Sequence, residues 1–85
     1  MPGSTITLLT RPGCHLCDEA RAVVTTVVAR LVGEGRPIVF DEQSIDDDAA
    51  LQARWTDDVP VVLVDGRQHS RWRVDPQALV AELTA

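Results

Sequence analysis

Two cysteines stand three positions apart in this 85-residue chain, in the run Cys14-His15-Leu16-Cys17. A C-x-x-C pair does one of two kinds of chemistry, thiol–disulfide exchange or metal binding. On a helix, residues i and i+3 lie about 5–6 Å apart. A disulfide needs a Cα separation of about 4.4–6.8 Å, so this pair can close without moving the backbone. The ring it closes is very short. The chain-entropy estimate gives such a ring about 2 kcal/mol of stabilisation, against about 4.7 kcal/mol for a 100-residue loop. A bond of this kind adds little to folding and exchanges readily. A zinc or iron–sulfur centre needs about four ligands. The soft candidates are Cys14, Cys17, His15 and His69, with no second C-x-x-C, so a metal or cluster would have to be shared between two chains. Covalent haem attachment requires histidine after the second cysteine, where this chain has Asp18.

The two cysteines are made unequal by the elements around them. Residues 5–10 (TITLLT) are β-branched and apolar and end at Arg11-Pro12-Gly13, which predicts a strand and a turn. From Cys14 the period changes. Leu16, Ala20, Val23, Val24, Val27, Val28 and Leu31 recur at helical spacing, and Gly33 offers a stop. The motif therefore sits at a helix N-terminus, where unpaired N–H groups and the helix dipole stabilise a thiolate. Cys14 is expected to be exposed at the helix mouth and Cys17 buried one turn inside. That makes Cys14 the nucleophile and Cys17 the resolving thiol. Arg11, and His15 when protonated, favour the thiolate; Asp18 and Glu19 oppose it weakly.

Further elements follow from the same kind of reading. Residues 37–41 (PIVFD) predict a second strand. Ser44 or Asp46 is a candidate cap for a short helix reaching about Trp55, with Asp46, Asp47 and Asp48 at its positive end. Residues 59–64 (VPVVLV) form a continuous apolar run, as expected of a strand buried on both faces. Asp65-Gly66 is a hairpin turn signal. Residues 68–74 then alternate, placing Gln68, Ser70, Trp72 and Val74 on one face and a basic set, Arg67, His69, Arg71 and Arg73, on the other. That basic face reads as a solvated edge strand or as a docking surface for an acidic partner. Asp75-Pro76 pairs an N-cap with proline at the first helical position and opens a last helix. The expected order is β-α-β-α-β-β-α, an α/β chain with a mixed four-stranded sheet and three helices. Its first two strands are parallel through a right-handed crossover.

The length fits a single domain spanning residues 1–85. Thirteen acidic against eight basic residues give a net charge of −5, which disfavours nucleic acid and anionic membrane surfaces as partners. No apolar run reaches the length of a membrane span. The start, Met1-Pro2-Gly3-Ser4, lacks the pattern of a secretory leader, so a cytoplasmic location is expected, where a dithiol can cycle.

The C-x-x-C after a first strand, together with Val59-Pro60 opening the third, resembles the thioredoxin fold. The short length narrows the resemblance to small bacterial glutaredoxin-like proteins, over about residues 5–83. It implies a glutaredoxin-like thiol–disulfide oxidoreductase that reduces protein or glutathione mixed disulfides. No cofactor is implied beyond glutathione as co-substrate. Glutathione or a thioredoxin reductase would be the reductant, and the protein would act as a monomer. The resemblance also implies a cis peptide before Pro60, facing the dithiol, with the Val59 backbone offered to an incoming thiol substrate. The chain departs from the common glutaredoxin pattern at three places. His15-Leu16 stand where Pro-Tyr is common. Ser70-Arg71 stand near where a glycine pair helps hold the γ-glutamyl carboxylate of glutathione. Asp58 stands where threonine is typical. Arg11, His15, Val59, Pro60 and Arg71 are thus the candidate substrate-binding residues beside Cys14 and Cys17, and Arg54 and Arg71 are candidates for a carboxylate. Two other readings compete: a metal or iron–sulfur binding module working through Cys14, and a redox-inactive adaptor with the same fold.

Overall fold

A computed structural model describes residues 3–85. Met1 and Pro2, on which part of the leader reading rests, lie outside the described residues. The elements are β1 (Ser4–Thr10), α1 (His15–Gly33), β2 (Ile38–Ser44), a single 3-10 turn (Ile45–Asp47), α2 (Ala49–Trp55), β3 (Val61–Val64), β4 (Arg67–Arg71) and α3 (Pro76–Thr84). The sheet order is β2-β1-β3-β4. β1 and β2 are parallel, while β1–β3 and β3–β4 are antiparallel. This is the mixed four-stranded α/β sheet with three helices that the sequence predicts.

Alternation along β1 and β3 divides the core into two layers. Ile6 and Leu8, with Val62 and Val64, meet Val24, Val27 and Leu31 of α1 and Leu79 and Leu83 of α3. Leu9 and Val61 face the other way, onto Ile45, Trp55 and Val59. β1 lies between two neighbours, which is why Leu8 is fully buried.

Local chemistry fixes several ends. Asp75 accepts from the amides of Gln77 and Ala78 and caps α3, with Pro76 at its start. Asp65 (φ 51°) and Gly66 (φ 83°) make the tight hairpin turn, and the Asp65 carboxylate also accepts from the Thr5 amide at 2.8 Å. α1 ends at Gly33, where the sequence reading put its stop, and the turn beyond it is closed by Gly35. Gly35 has φ 89°, and the amides of Gly35 and Arg36 return to the carbonyls of Val32 and Leu31, a Schellman closure. Two boundaries differ from the sequence reading. β2 runs on to Ser44 because its backbone pairs with the whole of β1, whatever the polarity of Glu42 and Gln43. The short helix splits in two, Ser44 capping the 3-10 turn and Asp48 capping α2.

The largest departure is at β4. The strand ends at Arg71 because Trp72 adopts φ 64°. A bulge between Val62 and Leu63 leaves His69 unpaired in the register. Strict alternation is lost there. His69 turns its Nδ1 into the protein, and Arg73 lies beyond the strand, so the expected basic strand face does not form as one surface.

Two substitutions test this account by urea denaturation. Leu8→Ala opens a void in the central strand and is expected to lower stability by about 2–5 kcal/mol. Asp75→Ala removes only a cap and is expected to lower it by about 1 kcal/mol.

Candidate functional site

The dithiol sits where β1 gives way to α1. Cys14 has extended backbone (φ −93°, ψ 115°) and is the N-cap residue; its sulfur accepts the amide of Cys17 at 3.3 Å. A sulfur thus takes the place of the usual capping oxygen, and an N–H aimed at it stabilises negative charge there. Cys17 is one turn inside, 1 % exposed, and packs with Leu9, Ile45, Trp55, Val59 and Val61. Cys14 is half-buried against the same cluster. Both cysteines are free thiols. Burial pushes the Cys17 thiol up to about 11, helped by its hydrogen bond to the Cys14 sulfur and only partly offset by the Arg11 backbone.

The facing wall is the segment 57–60. The Val59-Pro60 peptide is cis, and both residues are buried. Val59 belongs to the apolar cluster that holds the cysteines, so the fold brings Cys14, Cys17 and Val59 together.

The cationic candidates are placed differently from one another. Arg11 donates through Nη2 to the Thr56 carbonyl and, at 2.7 Å, to the Thr56 hydroxyl, at the C-terminal end of α2. Its guanidinium is engaged with that helix end. His15 is on the outer side of the first turn, its imidazole 3.6 Å from Glu19. Arg71 pairs with Asp58 at 3.1 Å and lies over the Trp72 ring at 4.4 Å. Its charge is therefore already matched beside Val59. Arg54 lies over Trp55 at 4.6 Å.

One residue near the site was not singled out for it in the sequence. Trp72 donates its backbone N–H to the Pro60 carbonyl at 2.7 Å and its indole N–H to the Asp57 carbonyl at 3.2 Å. Its two bonds and the Arg71–Asp58 pair tie the end of β4 to segment 57–60. In the sequence Trp72 reads only as one aromatic residue on an alternating face of the strand at residues 68–74, which gives no sign of this role. Among the described residues, no three His, Cys, Asp or Glu side chains gather as a metal-binding group. Among the described residues, too, no helix is long and apolar enough to cross a membrane.

Known proteins resemble this chain at several distances. A structural-genomics target protein from X. campestris is 35% identical, with a TM-score of 0.72 over 93% of this chain and 95% of its own. A protein from Nitrosomonas europaea, 22% identical, superposes with a TM-score of 0.73 over 98% of this chain and 94% of its own. Fasciola hepatica thioredoxin, at 16% identity and a TM-score of 0.65 over 96% of this chain and 79% of its own, shares the fold. An uncharacterized protein of Mycobacterium tuberculosis is 40% identical over 92% of this chain and 80% of its own length. The model of the family described as Glutaredoxin-like domain (DUF836) matches residues 5–84, which takes in both cysteines, Val59-Pro60 and Trp72. With a dithiol at the mouth of α1, a cis-proline wall beside it and the thioredoxin fold beneath, the chain belongs to this glutaredoxin-like family.

Proposed function

We propose that this protein is a thiol–disulfide oxidoreductase that reduces disulfides of proteins, or mixed disulfides with glutathione, through Cys14 and Cys17. The observation that carries the reading is the asymmetry of the pair. Cys14 caps the helix with the Cys17 amide directed at its sulfur, while Cys17 is buried with its thiol held protonated.

The chemistry follows from that asymmetry. The Cys14 thiolate attacks one sulfur of the substrate disulfide. A mixed disulfide forms, and the other substrate sulfur leaves as a thiolate that takes up a proton. Cys17 then loses its proton and attacks the Cys14 sulfur. The Cys14–Cys17 disulfide forms and the second substrate thiol is released. The substrate gains two electrons and the protein dithiol loses them. Two glutathione thiols, or a thioredoxin reductase, return the electrons and restore the dithiol. Val59 lines the wall beside Cys14, where its backbone would meet the incoming chain; Pro60 contributes no amide donor there. His15 and Arg71 flank the site, and Arg11 holds the end of α2 in place. A monomer working in the cytoplasm fits this cycle.

Cys14→Ser is expected to abolish reduction of insulin disulfides, and Cys17→Ser to accumulate covalent mixed disulfides visible on non-reducing gels. Full activity of Cys14→Ser would overturn the reading.

The burial of Cys17 adds a pH dependence. Its thiol is raised from the ordinary 9.0 to about 11 in the folded chain, so the fold favours the protonated form. The resulting stabilisation is present below pH 9 and is lost as pH rises through about 11. Reduced wild type is therefore expected to lose urea stability between these values relative to Cys17→Ser. In the same samples iodoacetamide should label Cys14 first and Cys17 only toward the upper end of the range.

A further inference from the structure

Of the four basic residues that alternation would set on one strand face, two are drawn into ion pairs near the dithiol. Arg71 pairs with Asp58 and Arg73 with Glu19. The other two, Arg67 and His69, belong to the opposite end of β4. That end pairs with Val64, the last residue of β3, whereas the cis-proline wall precedes the first. From Pro60 to Val64 the chain runs about 13 Å, at about 3.3 Å per residue.

A cavity of about 270 Å³ opens at this far end, lined by Val64, Arg67, Gln68, His69 and Glu82. Among the described residues, Arg67 and Glu82 are in no ion pair, and none of the four polar side chains makes a hydrogen bond. Arg21, Arg30, Arg71 and Arg73, by contrast, each meet a carboxylate. Arg67 and Glu82 carry opposite charges and line one cavity, yet do not come within ion-pair distance of each other.

Two features show that stability did not choose this arrangement. Glu82 lies in the last turn of α3, a turn with no basic residue. The helix dipole is negative there and favours a cation, not a carboxylate. The bulge at His69 also buries two polar atoms that have no hydrogen-bond partner, His69 Nδ1 and Ser70 Oγ. Unmet buried polar groups cost stability and call for a reason.

The charges select the occupant. A simple anion is drawn to Arg67 and repelled by Glu82; a simple cation meets the reverse. A small molecule that carries both charges meets each with its opposite. The planar guanidinium suits a carboxylate, and the Glu82 carboxylate suits an ammonium group. Gln68 and His69 can each donate and accept, which suits a neutral polar group. The volume is below the roughly 300 Å³ at which sites for drug-sized molecules begin, so the occupant is about the size of one residue.

We propose that this cavity is a binding site for a free α-amino acid with a neutral polar side chain. Its carboxylate pairs with Arg67, its ammonium with Glu82, and its side chain lies toward Gln68 and His69. The site is separate from the dithiol and does not depend on the chemistry proposed there.

The test is a titration of the full-length, 15N-labelled protein followed by NMR. The probe is L-glutamine. It is compared with N-acetyl-L-glutamine, which lacks the ammonium, and with L-glutaminamide, which lacks the carboxylate. L-Glutamine is expected to give saturating shifts at the amides of Arg67 and Gln68 and at the His69 imidazole. It should bind about tenfold more tightly than either analogue, a difference of about 1.4 kcal/mol. Glu82→Gln should abolish the advantage over N-acetyl-L-glutamine and keep that over L-glutaminamide; Arg67→Gln should do the reverse. Both positions are exposed, and amide shifts remote from the cavity report that each variant is folded. Absence of saturating shifts with millimolar L-glutamine, or equal affinity for the three probes, overturns the proposal. So do preferences that survive in both variants or that fall together in either one.

Discussion

The amide of Cys17 points at the sulfur of Cys14 across 3.3 Å, and that contact exists because helical backbone begins at His15. One residue earlier or later, a different group would cap the helix and a different side chain would be buried at the third helical position. The start is set from the other side of the turn. β1 is buried to its last residues, Leu9 and Thr10, and the chain must then leave the sheet. Gly13, at φ 73°, makes the bend that lets Cys14 be the cap. The central strand, one glycine and a sulfur cap together set the two thiols in different surroundings, one at the mouth and one in the apolar cluster.

The facing wall is held by a different device. Segment 57–60 has few ladder bonds of its own, since β3 pairs only from Val61. Its order comes from the two residues at the end of β4. Trp72 bonds to the carbonyls of Pro60 and Asp57, and Arg71 pairs with Asp58. The exposed Arg71–Asp58 pair contributes little to stability by itself, as such pairs do. Its effect is directional: it neutralises a carboxylate beside the place where a substrate backbone would lie, and it keeps the guanidinium over the indole.

Much of this was legible in the sequence because it is written in local chemistry. The strand at residues 5–10, the apolar stripe of α1, the Asp65-Gly66 turn and the Asp75-Pro76 start each rest on residues close together in the chain. So does the inequality of Cys14 and Cys17, which follows from helix polarity alone. What was not legible depends on partners far apart. β2 is longer than its apolar run because β1 supplies the pairing. Arg11 reaches Thr56, 45 residues away, and so serves the end of α2 as well as carrying charge near the motif. Arg71 was placed near the substrate site, yet its partner Asp58 and the left-handed Trp72 depend on a bulge at His69 that alternation does not announce. The helix ends at Gly33 as read, but the left-handed glycine that closes it is Gly35, because a Schellman closure needs a particular set of carbonyls, not merely a glycine.

The electrostatics of the buried thiol bear on the order of steps in the proposed reaction. Three influences raise Cys17: burial first, then its hydrogen bond to the Cys14 sulfur, and further down the charge on Cys14. In the proposed cycle the Cys14 sulfur passes into a mixed disulfide, where it carries no charge and is a poor acceptor, so the influences it exerts on Cys17 fall away while burial and the Arg11 backbone contact remain. The attack step thus removes two of the causes that hold the resolving thiol protonated. The sequence of attack and resolution needs no moving part. It follows from two sulfurs sharing one helix start, each altering the charge that the other experiences.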